Sequence, residues 1–291
     1  MNVEKMIIIG AGTMGSTISQ IAALAEIDVY IHDISPDALD RTMKLFNKNL
    51  RRWTEKERIT QGRAVAALNR NHAVESMENL PWTDTPFILE AIHEDQTAKN
   101  AMFMLLDGHR HEDAIIASDT SSISITGLAA ATTRPGNVVG MHFFHPATVM
   151  PLVEVVRGMQ TSDATIHATE ALAKKMDKIP LHVNDHPGFC ANRVLMPMVN
   201  EAIFALSEGV ADAKTIDSIM KLGCRHPMGP LELADLIGLD VVLDVLELMH
   251  KNLGESKYRP CPLLRRMVQA GMLGQKSGLG FHLYSNPPEA N

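Results

Sequence analysis

Lys5-Met6-Ile7-Ile8-Ile9 runs straight into Gly10-Ala11-Gly12-Thr13-Met14-Gly15, and Asp33 follows eighteen residues after the last of those glycines. The apolar run has the length of a buried strand. Residues 14–25 then place Ile18, Ile21, Ala22 and Ala25 on one helical face, and residues 27–32 read as a second strand that ends beside the acid. Strand, glycine turn, helix, strand and acid inside about thirty residues is the arrangement that grips a dinucleotide. Each part has a physical job. Gly10 permits the tight turn out of the strand, Gly12 lets a pyrophosphate approach the backbone, and Gly15 lets the helix pack against the sheet. The backbone N–H groups of Ala11, Thr13 and Met14 belong to the same phosphate cradle at the positive end of the helix. Asp33 would accept bonds from the adenosine ribose hydroxyls and repel a 2′-phosphate, which favours NAD over NADP. FAD uses a related fingerprint, which this segment alone does not separate from NAD.

The rest of the chain sets bounds. A length of 291 residues fits two domains or one large one, and 45% hydrophobic residues are ample for a core. A net charge of −7 argues against nucleic acid as a partner. No apolar run reaches the eighteen or so residues of a membrane span. The first strand signal begins so early that a signal or transit peptide has no room, so a cytoplasmic protein is expected. Cys190, Cys224 and Cys261 are widely spaced and lack ligand spacing, so no metal site is expected.

After Asp33, Ser35-Pro36-Asp37 reads as a cap and first turn. Polar, basic helices are expected over residues 36–56 and 57–68. Strand signals resume at 87–91 and 114–118, separated by a helix over 96–106. Further strands are expected at 137–142, 151–156 and 179–183, with a helix over 164–176. This alternation predicts a parallel sheet covered by helices. Beyond Asn184-Asp185-His186-Pro187-Gly188 strand signals nearly vanish. Helices are expected over 192–208, from the Asp212 cap to 222, over 232–250 with an interruption near Gly238, and over 262–270. The expected fold is therefore α/β: a Rossmann-type doubly wound sheet domain over 1–185, followed by an all-helical C-terminal domain over 186–291. The stretch from Leu231 to Met249 is apolar enough that burial in a subunit interface is the preferred expectation, with burial inside the monomer as the alternative.

The chemistry concentrates in Gly140-Met141-His142-Phe143-Phe144-His145-Pro146 and Pro151-Leu152-Val153-Glu154-Val155-Val156. His142 and Glu154 are equidistant from Thr148. A reversal there would pair two antiparallel strands and bring the two side chains together, through a wide turn because of Pro146 and Pro151. A His–Glu pair suits a base that removes an alcohol proton. A structural role for the histidine is the plain alternative. Ser118-Asp119-Thr120-Ser121-Ser122 follows a strand at its carboxyl end, where open parallel sheets bind ligands; helix capping is the alternative there.

Several blocks in order then resemble the short-chain L-3-hydroxyacyl-CoA dehydrogenases, 3-hydroxybutyryl-CoA dehydrogenases among them. They are the glycine turn, Glu90-Ala91-Ile92, Thr120-Ser121-Ser122, His142-Phe143-Phe144, residues 151–156, Pro187-Gly188-Phe189 with Asn192-Arg193, Pro227-Met228-Gly229-Pro230, and Lys276-Ser277-Gly278 with Gly280-Phe281. The resemblance implies an NAD-dependent oxidation of a 3-hydroxyacyl-CoA to the 3-oxoacyl-CoA, or its reverse. It implies His142 as general base, Glu154 as its partner, Ser121 on substrate and cofactor, and Asn192 completing the pocket. It places Glu94, Lys99, His145 and Lys276 among the cofactor contacts and Asn49 and Lys56 among the coenzyme A contacts. It also implies fatty acid metabolism and a homodimer joined through the helical domain. Asn192 at a helix start also fits an N-cap, Lys56 a solvated charge and Lys276 a turn support. Asp119 and His145 depart from the family, which usually has Asn at both positions. These departures keep open a dehydrogenase of a free hydroxy acid, such as a sugar acid or a carnitine-like alcohol, and a non-catalytic NAD-binding protein.

Overall fold

The structure is a computed structural model that describes residues 3–285. The chain divides into two compact units, Met1–Asp185 and His186–Asn291.

In the first unit β1 (Lys5–Ile9), α1 (Thr13–Leu24) and β2 (Asp28–His32) form the opening strand–helix–strand. There follow α2 (Pro36–Glu55), α3 (Gln61–Asn69), β3 (Asn71–Val74), β4 (Phe87–Glu90), α4 (Gln96–His109), β5 (Ile115–Ser118), α5 (Ile125–Ala129), β6 (Val138–Phe143), β7 (Leu152–Arg157), α6 (Asp163–Lys175) and β8 (Ile179–Asn184). The strands make one sheet in the order β3-β2-β1-β4-β5-β6-β7-β8. The first six in that order run parallel; β7 is antiparallel to β6, and β8 is parallel to β7. β4 and β5 are buried at every position, as strands covered on both faces must be. From β1 the chain crosses to β2 on one side, while β4 lies on the other. The carboxyl ends of β1 and β4 therefore flank a topological switch point, where such sheets hold ligands.

Two sequence expectations shift. The second polar helix begins at Gln61, not near 57. Glu57 sits in the left-handed region at φ 54°, and Thr60 caps the new start by accepting from Arg63 N. β3 had no strand signal because Asn71-His72-Ala73-Val74 is a short, polar edge.

The second unit contains α7 (Ala191–Ser207), α8 (Ala213–Cys224), α9 (Pro230–Ile237), α10 (Leu239–Leu253) and α11 (Pro262–Gln269). Gly238, at φ 103°, breaks the long apolar stretch into α9 and α10. Leu231, Ala234, Leu239, Val242, Leu246 and Met249 are fully buried against Met196, Val199, Ile203, Tyr258 and Leu264. This corrects the preferred expectation for that stretch. Its apolar stripe is satisfied inside the unit, because α9 and α10 turn it toward α7 and α11. Within the stretch only its outer positions, Leu236 and Val241, stay in solvent; elsewhere in the unit Val194, Ile219 and Leu222 do. No helix of the described residues is long and apolar enough to cross a membrane.

Gly15 marks how tightly α1 meets the sheet. A Cβ there would land on the carbonyl of Gly10, with the Cβ of Ala91 just beyond. Backbone cannot retreat as a side chain can, so Gly15→Ala should destabilise the first unit by about 2 kcal/mol. A thermal melt should fall by roughly 5 °C. An unchanged melting temperature would refute this account of the packing.

Candidate functional site

The glycine turn is held from three sides. Gly10, at φ +107°, donates its N–H to His32 O (2.8 Å), and a Cβ there would strike Ala91 O. Asp33 accepts from Ala11 N through Oδ2 (2.7 Å) and from Ser35 N through Oδ1 (2.8 Å), so the acid at the end of β2 is locked to the turn. Thr42 on α2 donates to Ala11 O (3.2 Å). Gly12 differs from its two neighbours. A Cβ added to it meets nothing within 4 Å, so the protein's own packing does not require a glycine there. Gly12 and Thr13 are exposed, and Gly12 caps α1 without a side-chain bond. No acid occupies the first turn of α1. An open helix N-terminus beside a glycine with space above it fits a bound pyrophosphate.

Across the switch point lies a buried polar cluster. Glu90 ends β4 at 0% exposure, accepting from Lys99 Nζ (2.5 Å) and Ile92 N (2.8 Å) through Oε1, and from Ser118 Oγ (2.6 Å) through Oε2. Lys99, on α4, is 1% exposed; it also donates to Ile92 O (3.2 Å) and reaches Glu94 Oε2 at 3.5 Å. The other oxygen of Glu94 accepts from Thr120 Oγ1 (2.5 Å), Ser121 N (3.2 Å), Ser122 N (3.1 Å) and Ser122 Oγ (2.7 Å). Glu94 thus shapes the turn that presents Ser121, which is partly exposed. Lys99, expected as a cofactor contact, lies instead behind that wall, and its ammonium is the counter-charge of Glu90 and Glu94. Neither spacing nor composition signals this burial. The acid ending the apolar run Phe87-Ile88-Leu89-Glu90 is the one hint; the hydroxyls of Ser118 and Thr120, expected at a ligand-binding sheet edge, bond to Glu90 and Glu94.

The third element is the β6–β7 pair. Its register sets His142 opposite Glu154, and Nδ1 lies 2.8 Å from Glu154 Oε2. Both side chains are nearly buried, at 7% and 3% exposure. The Phe144 ring lies 4.8 Å from the imidazole, tilted at 42°. A carboxylate accepts, so Nδ1 carries the hydrogen in this pair and Nε2 is the basic nitrogen. His145 follows in an exposed bend, and partial desolvation lowers its pKa below the ordinary histidine value. Asp119 accepts from Phe143 N (2.8 Å), which ties the end of β5 to the strand of His142.

The remaining expected residues lie elsewhere. Asn49, on α2, donates to Gln20 Oε1 (2.8 Å) on α1, and Lys56 is exposed where α2 ends. In the second unit α7 starts at Ala191 behind Cys190, so Asn192 stands in the first turn and is not the cap. Lys276 pairs with Asp240 at 2.6 Å. Among the described residues no group of three His, Cys, Asp or Glu side chains could hold a metal ion.

Known proteins match this architecture from end to end. The NAD binding domain of 3-hydroxyacyl-CoA dehydrogenase matches residues 5–186, and the C-terminal domain of 3-hydroxyacyl-CoA dehydrogenase matches residues 188–284. A probable 3-hydroxybutyryl-CoA dehydrogenase of Bacillus subtilis is 49% identical over 284 residues, 98% of each chain. The 3-hydroxybutyryl-CoA dehydrogenase of Bradyrhizobium diazoefficiens is 46% identical, over 97% of this chain and 96% of its own. The crystal structure of (S)-3-hydroxybutyryl-CoA dehydrogenase from Ralstonia eutropha superposes with a TM-score of 0.94 at 45% identity, over 98% of this chain and 100% of that one.

Gly12 separates folding from binding. Gly12→Ala should leave stability within about 1 kcal/mol of the native protein, since the position is open and an N-cap change is small. The same methyl would stand where phosphate must approach. NADH affinity, read by fluorescence titration, should fall at least about tenfold, equivalent to about 1.4 kcal/mol. Native affinity in the variant would show that the turn does not face the cofactor.

Proposed function

We propose a mechanism from one premise: the chain belongs to the 3-hydroxyacyl-CoA dehydrogenase family. It is an NAD-dependent dehydrogenase that interconverts a 3-hydroxyacyl-CoA and the 3-oxoacyl-CoA. The observation that carries the mechanism is the His142–Glu154 pair, whose Nδ1 and Oε2 lie 2.8 Å apart beside the carboxyl ends of β4 and β5.

In this reading Glu154 holds the imidazole by accepting from Nδ1, and Nε2 takes the proton of the C3 hydroxyl. The carboxylate balances the charge that arises on the ring. Ser121 Oγ fixes the C3 oxygen, and Asn192 is assigned to the substrate by the family resemblance alone. Bound NAD would supply the hydride acceptor for the C3 hydrogen. Gly10 to Gly15 and the start of α1 hold its pyrophosphate, and Asp33 its adenosine ribose. Glu94 acts through the Ser121 turn and Lys99 through Glu94, while His145 and Lys276 are assigned to the cofactor by the family resemblance. Asn49 and Lys56, two turns apart on α2, take the coenzyme A moiety, with Lys56 on its phosphates.

The acyl group is short: 3-hydroxybutyryl-CoA is the substrate named for the Bacillus subtilis, Bradyrhizobium diazoefficiens and Ralstonia eutropha proteins. The protein works on acyl-CoA thioesters in fatty acid metabolism, in the cytoplasm. It acts as a homodimer joined through the second unit, where Ile219 and Leu222 on α8 lie in solvent at 58% and 85% exposure. Large apolar side chains that exposed mark an interaction face.

A positioned base contributes about 10²–10⁴-fold. His142→Gln should therefore lose turnover of acetoacetyl-CoA by at least about 100-fold while NADH still binds. Near-native turnover would remove His142 from the mechanism. In the same NADH-coupled assay the native protein should prefer acetoacetyl-CoA to free acetoacetate and to sugar acids; the opposite order would favour a free-acid dehydrogenase. Leu222→Glu should shift sedimentation from dimer to monomer, and a monomeric native protein would refute the assembly.

A further inference from the structure

Asp119 is a carboxyl group that the mechanism above does not use. It follows β5 directly, and its backbone N–H donates to Glu90 O (2.9 Å). Its Oδ1 accepts from Phe143 N (2.8 Å), the residue next to His142 on β6. The residue keeps some exposure at the end of β5, while its carboxyl group is buried. Its charged neighbours come from every element packed there. Glu90 closes β4, Glu94 leads into α4, and Lys99 stands on α4. The paired His142 and Glu154 lie on β6 and β7, and His145 follows β6. Lys99 already pairs with Glu90 at 2.5 Å and Glu94 at 3.5 Å. Three carboxyl groups therefore share one buried ammonium. Desolvation raises the Asp119 pKa well above the usual carboxylate range; the Phe143 N–H and Lys99 oppose this, and Glu90 and Glu94 add to it.

We propose that Asp119 couples one proton to the oxidation state of the bound nicotinamide and so makes the preference of this site for NADH over NAD depend on pH. The proposal rests on the reading that His142 faces the nicotinamide. If it does, the carboxyl clamped to the adjoining peptide lies beside that ring. The oxidised ring is a cation and the reduced ring is neutral. A cation a few ångströms away favours carboxylate, and a neutral ring favours the acid. At the effective dielectric of such a site this separates the two protonation equilibria by roughly tenfold or more. The Asp119 pKa is then higher in the NADH complex than in the NAD complex. Below both values the group is protonated in each complex and the preference is flat. Between them, exchanging bound NAD for NADH takes up a proton, so NADH weakens relative to NAD as pH rises. Above both values the preference is flat again. An asparagine in the same place would keep the bond to Phe143 N and lose the coupling.

The test is binding without turnover. Dissociation constants for NADH and NAD should be measured from about pH 4.5 to 9, a span that starts near the ordinary carboxylate range, for the native protein and for Asp119→Asn. In the native protein the ratio of the NADH constant to the NAD constant should rise at least about threefold across this range, and in the variant it should stay flat. Titration calorimetry of the native protein in phosphate and in Tris should show that NADH binding takes up more protons, or releases fewer, than NAD binding within the same window, a readout that needs no variant to fold. A flat native ratio with no such difference in proton uptake would overturn the proposal, as would the same slope in Asp119→Asn. Failure of the native protein to bind NADH at any pH would instead sink the cofactor reading beneath it.

Discussion

The buried ion pair of Glu90 and Lys99 is the contact on which the crevice depends. A charge at 0% or 1% exposure is tolerable only when it is paired and hydrogen-bonded. Both conditions are met here, because Glu90 also takes the Ser118 hydroxyl and Ile92 N. Those bonds fix the carboxyl ends of β4 and β5 relative to each other. Lys99 then reaches Glu94, and a single oxygen of Glu94 gathers four donors from the Thr120–Ser122 turn. The presentation of Ser121 is thus traceable to one ammonium group behind it. Residues that never touch a ligand can still decide where those that do are held.

The reversal of chain direction at β7 does a second piece of positioning. In a purely parallel sheet, adjacent strands are joined by long crossovers, and residues twelve apart do not ordinarily stand opposite one another. By running antiparallel to β6, β7 sets His142 directly across from Glu154 on one face of the sheet. The pair needs no loop to hold it. Its geometry is fixed by backbone ladders, which are stiffer than the turns that carry Ser121. Sheet direction therefore accounts for the part of the site where orientation matters most.

Sequence made some of this legible and hid the rest, for reasons of locality. The glycine turn and Asp33 form one continuous supersecondary unit, so their bonds to each other follow from short-range order. His142 and Glu154 could be matched because a reversal between two strands has a simple mirror symmetry. Lys99 could not be placed, because a lysine in the first turn of a helix ordinarily faces water. Only the fold reveals the two acids beneath it. The apolar run from Leu231 to Met249 shows the same limit. Hydrophobic periodicity states that a face must be covered, but not by which partner. Here α7 and α11 cover it within the unit, while the less conspicuous α8 exposes Ile219 and Leu222.

Charge distribution reconciles an acidic protein with anionic ligands. The chain carries 34 acids against 27 basic residues, yet NAD and acyl-CoA both bring phosphates. The acids at the crevice are engaged by the protein: Asp33, Glu90, Glu94 and Glu154 each accept from its N–H or O–H groups. Their negative charge is met by those donors. The uncapped start of α1, by contrast, is exposed, and α2 carries Lys44, Lys48, Arg51 and Arg52 with no acid among residues 44–52. Within a Debye length of about 8–10 Å these local fields, not the net charge, determine what a phosphate meets. Overall acidity and anion binding are compatible because the crevice acids are met by the protein's own donors while the start of α1 and the basic stretch of α2 leave positive charge at the surface.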